Sequence, residues 1–168
     1  MQSPETVDAI AVRDPDRAQP HAGAIAATDY FLFRLRGRTY ALPPSAVELV
    51  VSMQPLVAIP TAGTHVRGVM YLRGRVITVI DLAQLLTIDD QPESRDGARV
   101  VVVAAPSPFA FVADATLGLA ALADTALARS AEDSPLVGGH LDDRGGGATL
   151  IDPRAVFDKL MALRGERQ

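Results

Sequence analysis

No cysteine occurs among the 168 residues, so neither a disulfide framework nor a thiolate metal site is available. That absence fits a reducing compartment. Aromatic residues make up only 5%, too few for a stacking platform that binds single-stranded nucleic acid. Neither charge sign accumulates in a long run: the net charge is −4, and no basic stripe offers itself to a nucleic acid. The longest apolar runs, such as Val100–Ala105, are far too short to cross a bilayer. The N-terminus lacks a basic region followed by an apolar stretch, which excludes a signal peptide. These absences predict a cytoplasmic chain with no nucleic-acid partner and no direct insertion into a membrane. What is present is a globular composition, 48% hydrophobic and 21% charged, of a length suited to one domain or two small subdomains sharing a core.

Motifs of catalysis are missing as well. His21 lies in the N-terminal region, and His65 and His140 lie in Gly-rich turns without a second ligand at metal-site spacing. "HLDDR" (140–144) gathers His140, Asp142 and Asp143, but directly before "GGG" it reads as a solvated turn. No G-x-S-x-G is present, and the serines fall at turns or element edges. The pairs Asp89–Asp90 and Asp142–Asp143 sit in polar linkers, a poor environment for acid–base work. "GGG" (145–147) is not followed by Lys-Ser/Thr, and no G-x-G-x-x-G opens a helix. The expectation is a binding module with no catalytic residue, no metal and no cofactor.

The chain reads as a flexible tail over 1–28, followed by many short strands. In "FLFRLRGRTYAL", alternation marks two strands, and "RGR" (36–38) marks a hairpin turn in which Gly37 supplies positive φ. Pro43 and Pro44 end that pairing, and "SAVELVV" begins helically and finishes as a strand. "PLVAIP" (55–60) reads as a short strand fenced by prolines. "GVMYLRGRVITVIDL" (68–82) reads as two buried strands joined at Arg73–Gly74, with "LAQLL" as a short helix after them. "TIDDQPESRDGA" (87–98) is a polar linker. "RVVVVAA" and "FAFVADA" are strands, "DTALARSAEDSPLVGG" is loop-like, and "PRAVFDKLMAL" is a C-terminal helix with Asp152 as N-cap and Pro153 at N1.

The halves echo one another. "GRVITVIDLAQLL" aligns with "GGGATLIDPRAVF" 71 residues later, matching Thr78 to Thr149, Ile80 to Ile151 and Asp81 to Asp152. "YAL" (40–42) aligns with "FAF" (109–111). This suggests two similar small barrels. Asp81 and Asp152 each stand between a strand and a helix, where a carboxylate caps free backbone N–H groups.

The stretch 68–82 also carries a family signature. Gly68, Val69, Leu72, Arg73, Gly74, Val76, Ile77, Val79, Ile80, Asp81 and Leu82 match the pattern G-[VI]-x-N-L-R-G-x-[VI]-[VI]-P-[VI]-[VI]-D-L, with Tyr71 in place of Asn and Thr78 in place of Pro. "FLFRLRGRTYALPPSAVELVV", "VADATL" and "LIDPRAVF" continue the resemblance over about residues 29 to 161. The chain resembles the CheW-like domain family, the adaptors of bacterial chemosensory arrays. The resemblance implies a mainly β fold of two five-stranded barrels around a shared core, with short helices. The first barrel is expected at about 38–97 and the second at about 98–150. The N-terminal strand and C-terminal helix cross between the halves, and 162–168 forms a C-terminal tail. It implies a non-enzymatic signal-transduction adaptor coupling methyl-accepting chemoreceptors to a CheA-type histidine kinase in a two-component system. Its partners would be the kinase regulatory domain, the receptor's cytoplasmic tip and other CheW-like proteins. It would be associated with membrane receptor arrays only through those partners.

Carried over by position, the partner-binding residues are Val47, Leu49, Val50, Gly68, Arg73, Gly74, Thr116 and Leu119. Docking would set an amphipathic helical tip into a groove between the barrels. The family's glutamate position falls on Leu49, while Glu48 stands one residue early, so the charge points elsewhere or the strand register is shifted. Thr116 replaces a valine, the stretch 117–135 is Ala-rich and shorter than usual, and "PSP" with "GGG" makes the second barrel look eroded. An accessory protein that binds only one of the two partners, the receptor but not the kinase, is the alternative reading.

Overall fold

The computed structural model describes residues 27–60, 63–88, 96–123, 134–141 and 147–165. The tail before 27, both carboxylate pairs and much of the two linkers lie outside the described residues. The elements are β1 (Ala27–Leu35), β2 (Arg38–Leu42), a 3-10 turn (Pro44–Ala46), β3 (Val47–Ser52), β4 (Val66–Leu72), β5 (Arg75–Ile80), α1 (Leu82–Leu85), β6 (Arg99–Val103), β7 (Phe109–Ala113), β8 (Ala115–Ala123), β9 (Val137–Leu141), β10 (Ala148–Ile151) and α2 (Pro153–Gly165).

They form two five-stranded sheets. One is ordered β3-β6-β7-β5-β4 and comes from a continuous stretch of chain; we call it the inserted sheet. The other, ordered β8-β1-β2-β10-β9, takes strands from before and after that stretch and is the flanking sheet. The two orders are equivalent: exchanging β1–β5 with β6–β10 converts one into the other. Each contains one parallel pair, β2 with β10 and β5 with β7, and each such pair joins the first half of the chain to the second. The echo in sequence is therefore a true internal duplication, with strands traded between the copies.

Two expectations change. The division at about 97/98 does not follow the sheets, because β2 belongs with the flanking sheet and β6 and β7 with the inserted one. The reason is local. The two-residue turn at Arg36–Gly37, with φ of 52° and 76°, binds β2 directly to β1. The prolines after Leu42 then break pairing and divert the chain into the other sheet. Closed barrels are not found among the described residues. Ladder pairing leaves β8 and β9 as edges of one sheet, and β3 and β4 as edges of the other.

The inserted sheet is nonetheless strongly curled. Glu48 on β3 forms an ion pair with Arg75 on β5, although a flat sheet would hold those strands about 14 Å apart. Val57, five residues beyond β3, bridges Val69 on the opposite edge strand through two backbone hydrogen bonds of 2.8 and 2.9 Å. The proline-fenced strand expected at 55–60 is reduced to this single bridge.

Curling explains why the central strands are buried on both faces. Along β7, Phe109, Phe111 and Ala113 enter the core between the sheets, and Ala110 and Val112 enter the inserted sheet's own interior. Along β1, Phe31, Phe33 and Leu35 join the shared core, and Tyr30 packs inside the flanking sheet. The Phe33 ring lies 4.9 Å from Phe111 and 5.8 Å from Tyr40, centroid to centroid, which ties the two sheets together. Burial pushes the Tyr40 phenol above its ordinary pKa, and nearby Arg38 partly opposes that shift.

The helices follow their caps. The Asp81 carboxylate accepts from the Gln84 N–H at 3.0 Å, and Asp152 accepts from Arg154 and Ala155 at 2.9 and 3.1 Å. Each aspartate thus serves its own helix start.

Candidate partner-binding site

The predicted contact residues separate into two groups. The first lies on the edge strands β3 and β8, which are equivalent under the duplication. Each carries a bulge at the matching place: Glu48 is the extra residue between Val47 and Leu49, and Leu117 the extra residue between Thr116 and Gly118. At Glu48 the pairing of β3 with β6 is interrupted by this extra residue. The charge is exposed and pairs with Arg75.

Cross-strand partners share a face, and this fixes where the side chains point. Val47, Val50, Thr116 and Leu119 sit opposite Val103, Val101, Phe33 and Phe31, all members of the shared core. They therefore lie on the faces that the two sheets turn toward each other, at the outermost strand of each. Val50 and Leu119 end equivalent rows of side chains, Val50–Val101–Phe111 and Leu119–Phe31–Leu42. Leu119 is 67% exposed, so the shared core runs out to an apolar margin at β8. Leu49 faces the other way and packs against the inserted sheet's interior.

The second group lies on the β4–β5 hairpin. Gly68 is buried, and its φ of +148° together with an absent side chain is obligatory: a Cβ there would stand 2.5 Å from the Val57 carbonyl oxygen. Its position is thus explained by the Val57 bridge. Arg73 and Gly74, at φ of 48° and 81°, form the two-residue turn. Arg73 is exposed, makes no ion pair among the described residues and stands at a backbone conformation unusual for a long side chain. β4 and β3 are opposite edges of the ladder, but the Glu48–Arg75 ion pair draws the β5 arm of the hairpin toward β3.

Sequence reasoning missed three exposed apolar residues near this turn. Tyr71 and Val76 are cross-strand partners, 69% and 67% exposed, and Val57, 66% exposed, bridges Val69. Met70, Leu72 and Ile77 occupy the inserted sheet's interior, so Tyr71 and Val76 point away from it. The period-two alternation of "VMYL" and "RVIT" held that information.

Elsewhere, a cleft of about 460 Å³ lies between α2 and the inserted sheet, lined by Ile80, Phe109, Phe157, Leu160 and Met161 among others, and it contains none of the predicted contact residues. His140 is part of β9 rather than a turn, and its Nδ1 lies 3.3 Å from the Thr149 hydroxyl. Among the described residues no cluster of His, Asp or Glu could hold a metal ion. No helix among them is long and apolar enough to cross a membrane.

Comparison with known proteins agrees with this architecture. A search of curated proteins returned no match. Among solved structures, the scaffolding protein TtCheW from Thermoanaerobacter tengcongensis superposes with a TM-score of 0.68 at 20% identity, covering 80% of this chain and 89% of that one. A family model of the CheW-like domain matches residues 29–161. With that match spanning both sheets and most of α2, the chain belongs to the CheW-like domain family.

Proposed function

We propose that the chain is a chemotaxis scaffold and adaptor that couples methyl-accepting receptors to a CheA-type kinase in the cytoplasm. The carrying observation is the apolar margin that Val50 and Leu119 place at equivalent ends of the shared core, with Leu119 open to solvent. A helical receptor tip presents its apolar ridge to such a margin and gains affinity by burying it. The β4–β5 hairpin, with Arg73 at its turn, offers further exposed surface for a folded partner such as the kinase regulatory domain.

Pull-down of a receptor cytoplasmic fragment and of a CheA-type regulatory domain tests the reading, and failure with both sinks it. Leu119→Asp should abolish receptor-fragment capture. Arg73→Ala should leave the fold intact and weaken coupling; if it unfolds the protein instead, Arg73 is structural and its assignment fails. One observation favours the accessory reading. Glu48 is occupied by Arg75 rather than free for a partner, and retention of receptor capture with loss of kinase capture would establish that version.

A further inference from the structure

The cleft between α2 and the inserted sheet has a wall that the repeated unit does not require. Under the duplication Leu85, the last residue of α1, corresponds to Val156. The first copy thus ends its helix where α2 has completed about one turn, while α2 runs on to Gly165. The wall of the cleft comes from that extension. Phe157, Leu160, Met161 and Arg164 are spaced i, i+3, i+4 and i+7, which sets them on one face of the helix. Leu160 and Phe157 also pack against the shared core, whereas Met161 is left 39% exposed.

The floor is the face of three neighbouring strands that turns away from the inserted sheet's interior. Ile77 and Val79 point into that interior, so Thr78 and Ile80 point toward the cleft. Val66 on β4 stands opposite Ile80, and Phe109 on β7 stands opposite Thr78. The volume of about 460 Å³ falls within the roughly 300–1,000 Å³ of small-molecule sites.

The chemistry of the lining selects the occupant. Arg164 borders the cleft with half-buried His65, and among the described residues no aspartate or glutamate lines it. Thr78 and Ser107 add hydroxyl groups that can donate to an anion. A cationic ligand would meet no opposite charge here. A wholly polar anion would leave Ile80, Phe109 and Leu160 without an apolar neighbour on the open side. A molecule with an apolar body and one carboxylate answers both: its body covers the aliphatic and aromatic floor, and its head pairs with the guanidinium.

We propose that this cleft is a ligand site for an amphipathic carboxylate of the medium-chain fatty-acid class, with Arg164 holding the head group. None of the residues at the β3 and β8 margin lines it, so the site stands independently of the adaptor reading.

The experiment titrates the full chain with decanoate, with decylamine and with acetate by calorimetry, below the micellar range. Decanoate should bind saturably at one site, decylamine should bind at least roughly tenfold more weakly, and acetate should show no saturation. Arg164→Gln should weaken decanoate by roughly tenfold. Met161→Asp, which sets a carboxylate in the wall, should weaken it by at least as much. Arg154→Gln, on the same helix but outside the cleft, is the control and should stay within roughly twofold of wild type. Arg164 also stands in the last turn of α2, where a cation complements the helix dipole. A role confined to that would lower the unfolding temperature of Arg164→Gln with decanoate affinity unchanged, and this result overturns the inference. So does a wild-type chain that fails to bind decanoate, or that binds decylamine equally well. Equal weakening by Arg154→Gln and Arg164→Gln places the anion elsewhere and overturns it too.

Discussion

The two sheets share one topology but not one interior. Among the described residues, nine buried ones form a continuous cluster inside the inserted sheet, including Met70, Ile77, Val79 and Val102. Among the described residues the corresponding cluster inside the flanking sheet has five, two of them alanines. The bulges at Glu48 and Leu117, the positive-φ glycines at Gly68 and Gly139 and the capping aspartates at 81 and 152 all match. Backbone features have therefore been retained in both copies, while side chains diverged wherever the backbone did not depend on them. Where both hairpins are described they differ as well: His140 stands where the inserted sheet has Val69.

The largest expected effect concerns the bulge. Gly68→Ala forces a Cβ onto the Val57 carbonyl in a strained conformation and should cost about 3 kcal/mol or more in urea denaturation. A negligible cost would mean that the Val57 strand lifts away freely and that the curl is dispensable. Next come the interiors. Met70→Ala should fall toward the upper end of the ~2–5 kcal/mol typical of such truncations, and Leu141→Ala toward the lower end, because a thin alanine-rich interior collapses more readily. Equal costs would show the two interiors to be packed alike.

Tyr40 reports on the core between the sheets. Its pKa is raised in the folded state, so its contribution to stability is complete below the unfolded value of 10.0 and is lost as pH rises above it. Denaturation midpoints should fall with alkaline pH in the wild type and less steeply in Tyr40→Phe; parallel curves would remove Tyr40 as the cause. The smallest effect belongs to the pair across the curl. Glu48→Ala should cost less than about 1 kcal/mol, with much of that lost at high salt, since both side chains are partly exposed.

The strands with aromatic or β-branched residues were legible in the sequence, as were the capped helices and both two-residue turns. β8 and β9 were not. "ATLGLAALA" is built of alanine, glycine and leucine, and "VGGHL" places its glycines at a bulge, so both resembled loops by composition. Tertiary pairing with β1 and β10 makes them strands. The allocation of strands to sheets was illegible for a different reason. Periodicity shows that a segment is a strand but not which strand it meets, and the traded parallel pairs are long-range choices. At the site, Val47, Val50, Thr116 and Leu119 lie on equivalent edge strands with their cross-strand partners in the shared core, whereas Leu49 is turned inward by a bulge that no alternation reveals. Gly68 has a structural role that its motif position did not reveal, since its neighbour is the carbonyl of Val57.

Nesting one sheet within the other also sets an order of assembly. As the chain leaves the ribosome, the β1–β2 hairpin emerges first but cannot complete its sheet until β8, β9 and β10 follow. The inserted sheet, all of whose strands are contiguous, can close its ladder in the meantime. Through that interval the apolar faces of β1 and β2 have only the young inserted sheet to lie against, which gives the shared core, rather than either interior, the role of holding the nascent protein together.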